Sequence, residues 1–217
     1  MDKKERLDNN ESFFQPYIVG VCGGTGSGKT YICTKIQEKF KEIFSNTNVT
    51  ILSQDSYYIG GNSDTNYDIP DAIDFNLLIS HISSLMKGKS IDCPIYDFSS
   101  HSRLNKTMKV YPTKIIVIEG ILIFTQEKLR NLCNLKVFIN ARESTRLFRR
   151  LKRDIEERGR SVDEVSLRYE RDVAPSYEQY VLPSAQYSDM TINNYSGSYV
   201  GLAVMLDHLI KTVSELK

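Results

Sequence analysis

No apolar run in this sequence approaches the roughly 20 residues that a membrane-spanning helix needs, so a soluble protein is expected. The first 14 residues, MDKKERLDNNESFF, contain no apolar core of the kind a secretory signal carries, and their acidic side chains argue against a transit peptide. A frayed tail over residues 1–15 is the expectation. Cysteine is sparse: Cys22, Cys33, Cys93 and Cys133 stand singly, without the close pairs of a zinc site or the density of a disulfide scaffold. With no export signal, they read as reduced core thiols of a cytoplasmic protein. Excess charge is missing too. The 28 basic and 27 acidic side chains leave a net charge of +1, which gives no electrostatic ground for a nucleic-acid or membrane partner. Internal repeats and low-complexity tracts are also absent.

What is present is enough for one well-buried domain: 217 residues, 41% of them hydrophobic. Short apolar, partly β-branched runs recur at 17–23 (YIVGVCG), 48–54 (NVTILSQ), 114–124 (KIIVIEGILIF), 134–141 (NLKVFINA) and 189–193 (DMTIN), separated by helical stretches. That alternation predicts an α/β fold with a parallel sheet and helices on both faces. After the first run, Ile32, Ile36, Phe40, Ile43 and Phe44 mark one helical face. At the other end Leu202, Leu206, Leu209, Val213 and Leu216 mark a helix that packs on the sheet. Residues 55–74 and 90–113 break the alternation, and long irregular insertions in such a domain are usually functional.

The first strand runs into GGTGSGKT, residues 23–30, and a helix follows. Gly23, four residues, then Gly28, Lys29 and Thr30 match G-x-x-x-x-G-K-[ST] in full. The backbone N–H groups of Gly23, Gly24, Thr25, Gly26, Ser27 and Gly28 are expected to cradle the phosphates of ATP or GTP, helped by the positive end of the helix. Lys29 supplies a point charge for the β and γ phosphates, and the Thr30 hydroxyl is placed to ligate Mg²⁺. Glu119, ending the run Ile115–Ile118, is either a second magnesium group or an ordinary strand-end carboxylate. Asp55 directly follows NVTILSQ, at the carboxyl end of a strand, where open α/β sheets bind ligands. It could accept a proton from an attacking hydroxyl or sit behind the metal.

A phosphate loop alone does not say what the phosphate is for. The Asn-Lys-x-Asp sequence by which a GTPase reads guanine is absent, and 217 residues leave little chain for motor coupling domains. A small-molecule kinase fits the size, while a nucleotide-binding regulator would have no need of a base such as Asp55.

Four stretches narrow the choice: GGTGSGKT, QDSYY (54–58), NYDIPDAID (66–74) and PIYDFSSHSR (94–103). Together with VIEGILIF (117–124), TRLFRRLKRDIEERGR (145–160) and YVLPSAQYSDM (180–190), they resemble the uridine-cytidine kinase family over nearly the whole chain after the tail. The resemblance implies a three-layer P-loop kinase fold: a mostly parallel five-stranded sheet, helices on both faces, a small β-hairpin insertion and a helical lid. It implies one domain over 16–217, with a nucleoside-binding insertion at about 90–113 and a lid at about 153–175. It also implies transfer of the γ phosphate of ATP or GTP to the 5′ hydroxyl of uridine or cytidine, with Mg²⁺. A homotetramer is implied as well. Under the same resemblance Asp55 is the general base, Tyr58 its aromatic neighbour, and Asp68 the acceptor for the ribose diol, whose two hydroxyls suit a two-oxygen carboxylate. Tyr96, Phe98 and His101 enclose the pyrimidine; without the resemblance, Tyr96 and Phe98 would read as core packing on a strand face. Another hydroxyl metabolite on the same fold, a sugar phosphate or pantothenate, is the competing kinase reading.

Residues 142–160 hold eight basic side chains, seven Arg and one Lys, against four acidic ones. Arg142, Arg146, Arg149, Arg150 and Arg153 recur about once per turn, a pattern that elsewhere means a solvated face or a nucleic-acid stripe. By resemblance Arg150, Arg153, Arg158 and Arg160 are lid residues around the triphosphate and nucleoside, with Arg150 and Arg153 acting on the transferred group. The chain departs from the family at particular positions. Ile69 stands where a His is common, Gly26-Ser27 where Ala-Ser is common, and Arg168 where a Gln commonly reaches the base. Gln donates and accepts, whereas Arg only donates, so an inward Arg168 is expected to favour uracil carbonyls. The segment NNYSGS (193–198), at the adenine side in the family, also differs, which leaves ATP against GTP open.

Overall fold

A computed structural model describes residues 15–44, 49–195 and 199–215. Five strands, β1 (Tyr17–Cys22), β2 (Val49–Ser53), β5 (Ile115–Gly120), β6 (Leu135–Asn140) and β7 (Met190–Asn193), form one sheet in the order β2-β5-β1-β6-β7. Every pair in it is parallel. Each of the five apolar runs is therefore a strand, trimmed at its ends. The run 114–124 is cut most: beyond Gly120 the chain bends away, and Leu122 N donates to the Gln54 amide oxygen at 2.8 Å instead of continuing the ladder.

Alternation along each strand sends side chains to two cores. Ile18, Cys22, Leu52, Ile116, Ile118 and Phe138 face one side, packed against α2 (Phe75–Met86) and the residues around Tyr57. Val19, Val21, Val117, Val137 and Ile139 face the other, against α1 (Lys29–Ile43) and the C-terminal helix (Val200–Glu215). The result is the expected three layers. On α1 the face is Ile32, Cys33, Ile36 and Phe40; Ile43, in the last turn, is exposed, while Phe44 stacks on Phe40 with ring centroids 5.5 Å apart. On the C-terminal helix Leu202, Leu209 and Val213 are buried as expected, Leu206 is partly so, and Met205 is fully buried. Leu216, Asn48, residues 196–198 and residues 1–14 of the expected tail lie outside the described residues.

The insertion at 90–113 is an antiparallel hairpin of β3 (Ile91–Asp97) and β4 (Ser102–Val110). Its register shifts between Pro94 and Tyr96, at the strand residue that has no N–H to give to a ladder. Asp97 closes the tip by accepting from Ser99 N, Ser99 Oγ and Ser100 Oγ at 2.7–2.9 Å, and these bonds bring its carboxyl down to about 2.

The short helix α3 (Glu127–Arg130) precedes β6, and α4 (Glu143–Glu156) and α5 (Val162–Arg168) follow it. From α5 the chain stays helical to Tyr187, with π turns at Tyr169–Val173 and Tyr177–Val181. Pro175 and Pro183 each follow a π turn by two residues. A proline ring in a helix interior loses a hydrogen bond and crowds the carbonyl a turn earlier, and the wider π turn makes room for it. Among the described residues no helix is long and apolar enough to cross a membrane.

Candidate active site

The carboxyl ends of β1, β2 and β5 open on one cleft of about 800 Å³, counting the solvent at its mouth. At the end of β1 the chain enters the phosphate loop. Gly26 sits at φ 72°, and a Cβ there would overlap the Arg146 carbonyl oxygen, so α4 fits against the loop only because the position is glycine. Gly28, at φ 101°, begins α1. Lys29 is buried and its Nζ donates to Gly24 O at 3.2 Å. Ser27 Oγ is buried and has no hydrogen-bond partner among the described residues. The sequence motif thus has the geometry of a polyphosphate site.

Across the cleft, β2 ends at Ser53, whose hydroxyl accepts from Asp55 N at 3.3 Å and donates to Glu119 Oε1 at 2.5 Å. Asp55 therefore projects from a 3-10 turn (Gln54–Tyr57) capped by Ser53. Burial raises the Glu119 carboxyl; Lys29 and the Ser53 hydrogen bond pull it down, Asp55 pushes it up, and the net shift is upward. Thr30, Asp55 and Glu119 all line the cleft. These hard oxygen donors next to a phosphate cradle suit a magnesium ion.

The far end is aromatic. Tyr58 meets Tyr67 edge-on at 5.5 Å and Tyr96 at 5.2 Å, Tyr96 meets Phe98 at 5.3 Å, and Tyr67 stacks on His101 at 5.4 Å. Burial, then Asp55 and Asp68, push the Tyr58 hydroxyl well up, so it stays protonated between two carboxylates. Asp68 faces the same space; enclosure by the protein raises its carboxyl, with Arg150 opposing and Asp55 and Asp172 adding. Burial lowers the His101 imidazole, and the nearby Arg168 and Arg160 lower it further. His101 itself lies at the hairpin tip with φ 52°. Arg103 on β4 fastens the hairpin to the Asp55 segment, donating from Nε to Tyr58 O at 2.8 Å and from Nη2 to Tyr57 O at 2.9 Å, and pairing with Asp74 at 3.3 Å.

The basic helix is not a solvated face. Arg146 and Arg150 of α4 are buried against the loop, Arg150 Nη1 reaching Thr25 Oγ1 at 3.3 Å and Arg149 reaching Gly26 O at 3.3 Å. The five arginines separate by role. Arg142 lies over the Tyr195 ring and Arg146 over Tyr177, while Arg150 and Arg153 line the cleft with Arg158 and Arg160. Arg158 also covers Phe98 at 4.0 Å. Arg168 points inward, lines the cleft and pairs with Glu164 at 3.2 Å. Asn194, from the segment that departs from the family, donates to Ser27 O at 2.7 Å.

One cleft thus holds Thr25, Lys29, Thr30, Asp55, Tyr58, Asp68, Tyr96, Phe98, His101, Glu119, Arg150, Arg153, Arg158, Arg160 and Arg168, with the remaining loop residues, Gly23 to Gly28, adjoining. Thr65, Tyr67, Ile121, Asp172 and Val173 line it too and were not anticipated. Tyr67 had a signal, since it precedes Asp68 inside NYDIPDAID. Asp172 and Val173 had none, because the π turn that aims them has no apolar period.

The profile of the phosphoribulokinase/uridine kinase family matches residues 18–200. The chain belongs to this family. Within it, the chain is 37% identical to a uridine kinase of Clostridium novyi over 94% of its own length and 99% of the relative's. It is 35% identical to uridine-cytidine kinase 2-B of Danio rerio, over 95% of its length and 84% of the relative's. A solved kinase structure from Silicibacter sp. TM1040, ascribed to a fructose transport system, shares the fold with a TM-score of 0.66 at 18% identity, over 87% of this chain and 94% of that one. Family membership carries a nucleotide phosphoryl donor with it.

Proposed function

We propose that the chain is a uridine/cytidine kinase, moving the γ phosphate of ATP or GTP to the 5′ hydroxyl of uridine or cytidine to give UMP or CMP. The observation that carries this reading is the placement of Asp55 between the phosphate cradle and an aromatic chamber that also holds Asp68. Asp55 takes the proton of the ribose hydroxyl as that oxygen attacks phosphorus, a contribution worth about 10² to 10⁴ in rate. Asp68 accepts from the two ribose hydroxyls, so a substrate lacking one leaves a buried acceptor unpaired. Tyr58, Tyr96, Phe98 and His101 hold the flat base, and Arg168 presents donors to it.

Lys29, Arg150 and Arg153 face the transferred group and offset its charge, while Arg158 and Arg160 close the chamber from the lid side. Thr30 and Glu119 would hold Mg²⁺, which when bound neutralises the β and γ oxygens. In this reading residues of about 90–113 form the nucleoside-binding insertion and about 153–175 the lid, which excludes water when the chamber is filled. We extend it to a cytoplasmic enzyme, in keeping with four unpaired cysteines, and to a homo-oligomer. Purified protein with Mg²⁺ and ATP is to be offered uridine, cytidine, 2′-deoxyuridine, pantothenate and a sugar phosphate. UMP formation is the expected result; no nucleoside product while ATP still binds would overturn the reading.

A further inference from the structure

Asp154 belongs to no wall of the cleft. Its side chain is 0% exposed, on α4, and all four arginines around it do line the cleft. Oδ1 accepts from Arg153 Nε and Nη2 at 2.9 and 2.7 Å and lies 3.4 Å from Arg158 Nη1. Oδ2 accepts from Arg160 Nη1 at 3.3 Å and lies 3.5 Å from Arg150 Nε. The Asp154 carbonyl also accepts from Arg160 N at 3.1 Å, which folds the chain back at Gly159 so that Arg158 and Arg160 return to the same carboxylate. One buried anion therefore gathers guanidinium groups from four positions, two of them on α4 and two beyond its end.

We infer that Asp154 is a positioning residue for phosphoryl transfer: it collects Arg150, Arg153, Arg158 and Arg160 into one cluster facing the cleft before any nucleotide arrives. The inference rests on the reading that this cleft takes a polyphosphate. Four guanidinium groups this close repel one another, and a single carboxylate behind them offsets that repulsion while leaving a net charge of +3 turned toward the phosphates. The groups facing Asp154 are these four arginines. Glu164 pairs with Arg160 at 3.7 Å from the outer side, and Asp55 lies across the cleft from Arg158. Burial raises the Asp154 carboxyl, but the arginines, Arg153 first, more than reverse this, so it is ionised at neutral pH.

Without the carboxylate the arginines lose their common acceptor and spread, Arg158 and Arg160 beyond the end of α4 most. A bound polyphosphate supplies anions of its own, so donor affinity survives, whereas the alignment needed at the transferred phosphoryl group does not. D154N is nearly isosteric. It is expected to lower kcat with uridine by about 10- to 100-fold while the dissociation constant for a non-hydrolysable ATP analogue stays within about threefold. In the nucleotide-free protein, hydrogen exchange over residues 150–168 should quicken in D154N and slow again on adding the analogue.

D154E keeps the charge and moves it by one methylene, and its kcat should fall between the other two. A folded D154N with wild-type kcat and exchange overturns the inference. So does equal loss of kcat and analogue affinity, which is what a merely structural residue gives. If D154N does not fold, D154E decides: kcat lowered by about threefold or more at unchanged analogue affinity supports the inference, and wild-type kcat overturns it. Wild-type turnover of uridine tests the substrate reading separately, since the exchange measurement needs no acceptor.

Discussion

The Ser53 hydroxyl at the end of β2 donates to the Glu119 carboxylate at the end of β5 across 2.5 Å, joining two strand ends at the floor of the cleft. This bond counters the burial and the Asp55 charge that raise Glu119. Ser53→Ala removes it, so Glu119 rises further and is protonated at a higher pH. The acid limb of the kcat/KM profile should move to higher pH, the loss growing as the pH falls and vanishing where the carboxyl is ionised in both proteins. A profile superimposable on the wild type would show that Glu119 has no part in turnover.

Asp55→Asn keeps the shape of the turn but cannot take a proton. kcat should drop by about 10² to 10⁴, with binding of an ATP analogue unchanged by calorimetry. A variant with near-normal kcat would leave Asp55 without a chemical role.

Asp68 links function to stability. Its carboxyl is raised above its ordinary value of 3.8, so the native state holds the proton more tightly than the unfolded chain. Stability is then fully present below that ordinary value and is lost as pH rises through the raised native one. At neutral pH the ionised group is a cost, and Asp68→Asn removes it. The free protein should melt about 2–4 °C higher at pH 7, with the gain shrinking as the pH approaches 4, while uridine KM rises steeply. Equal melting at both pH values would contradict this account.

Arg103 serves three acceptors: Tyr57 O and Tyr58 O, just after Asp55, and the Asp74 carboxylate that caps α2. Arg103→Leu strands them, at a cost of about 2 kcal/mol and hence a Tm lower by roughly 5 °C. Because the acceptors of Arg103 lie on the Tyr57–Tyr58 turn and at Asp74, uridine KM should rise several-fold with analogue affinity unaltered. A matched fall in both would place the damage elsewhere.

Arg168 can only donate. Arg168→Gln restores an acceptor for an amino group, and the cytidine-to-uridine ratio of kcat/KM should rise about fivefold or more. An unchanged ratio would separate Arg168 from base choice.

The parts of the site legible in the sequence were those with a local cause. GGTGSGKT needs only its glycines and the strand-helix context, and the five strands show as β-branched runs because both faces of a parallel sheet are buried. Asp55 and Glu119 follow from standing at strand ends. Tyr58, Asp68, Tyr96, Phe98 and His101 became legible only through the family resemblance. Their spacing is that of a loop and a hairpin, and the contacts between Tyr58, Tyr67 and Tyr96 join segments distant in the chain. Ile43 falls on the apolar face by its helical period yet is exposed, because a period says nothing about where a helix outruns its sheet. In the sequence Asp154 reads as surface charge balance, one carboxylate in a basic run; its spacing from Arg146 and Arg150 puts it on the buried face of α4, and the return of the chain at Gly159 brings Arg158 and Arg160 to it.

The π turn at Tyr169–Val173 holds one residue more than an α-helical turn would, and the widened turn absorbs that surplus without passing it on. Deleting a single residue inside it should restore an ordinary helix and leave Tyr177, which backs Arg146, and Val181, in the core, facing as they do now. In α4, which has no such turn, the same deletion would rotate every side chain beyond it by about 100°. The stretch after α5 should accordingly forgive a lost residue where α4 does not.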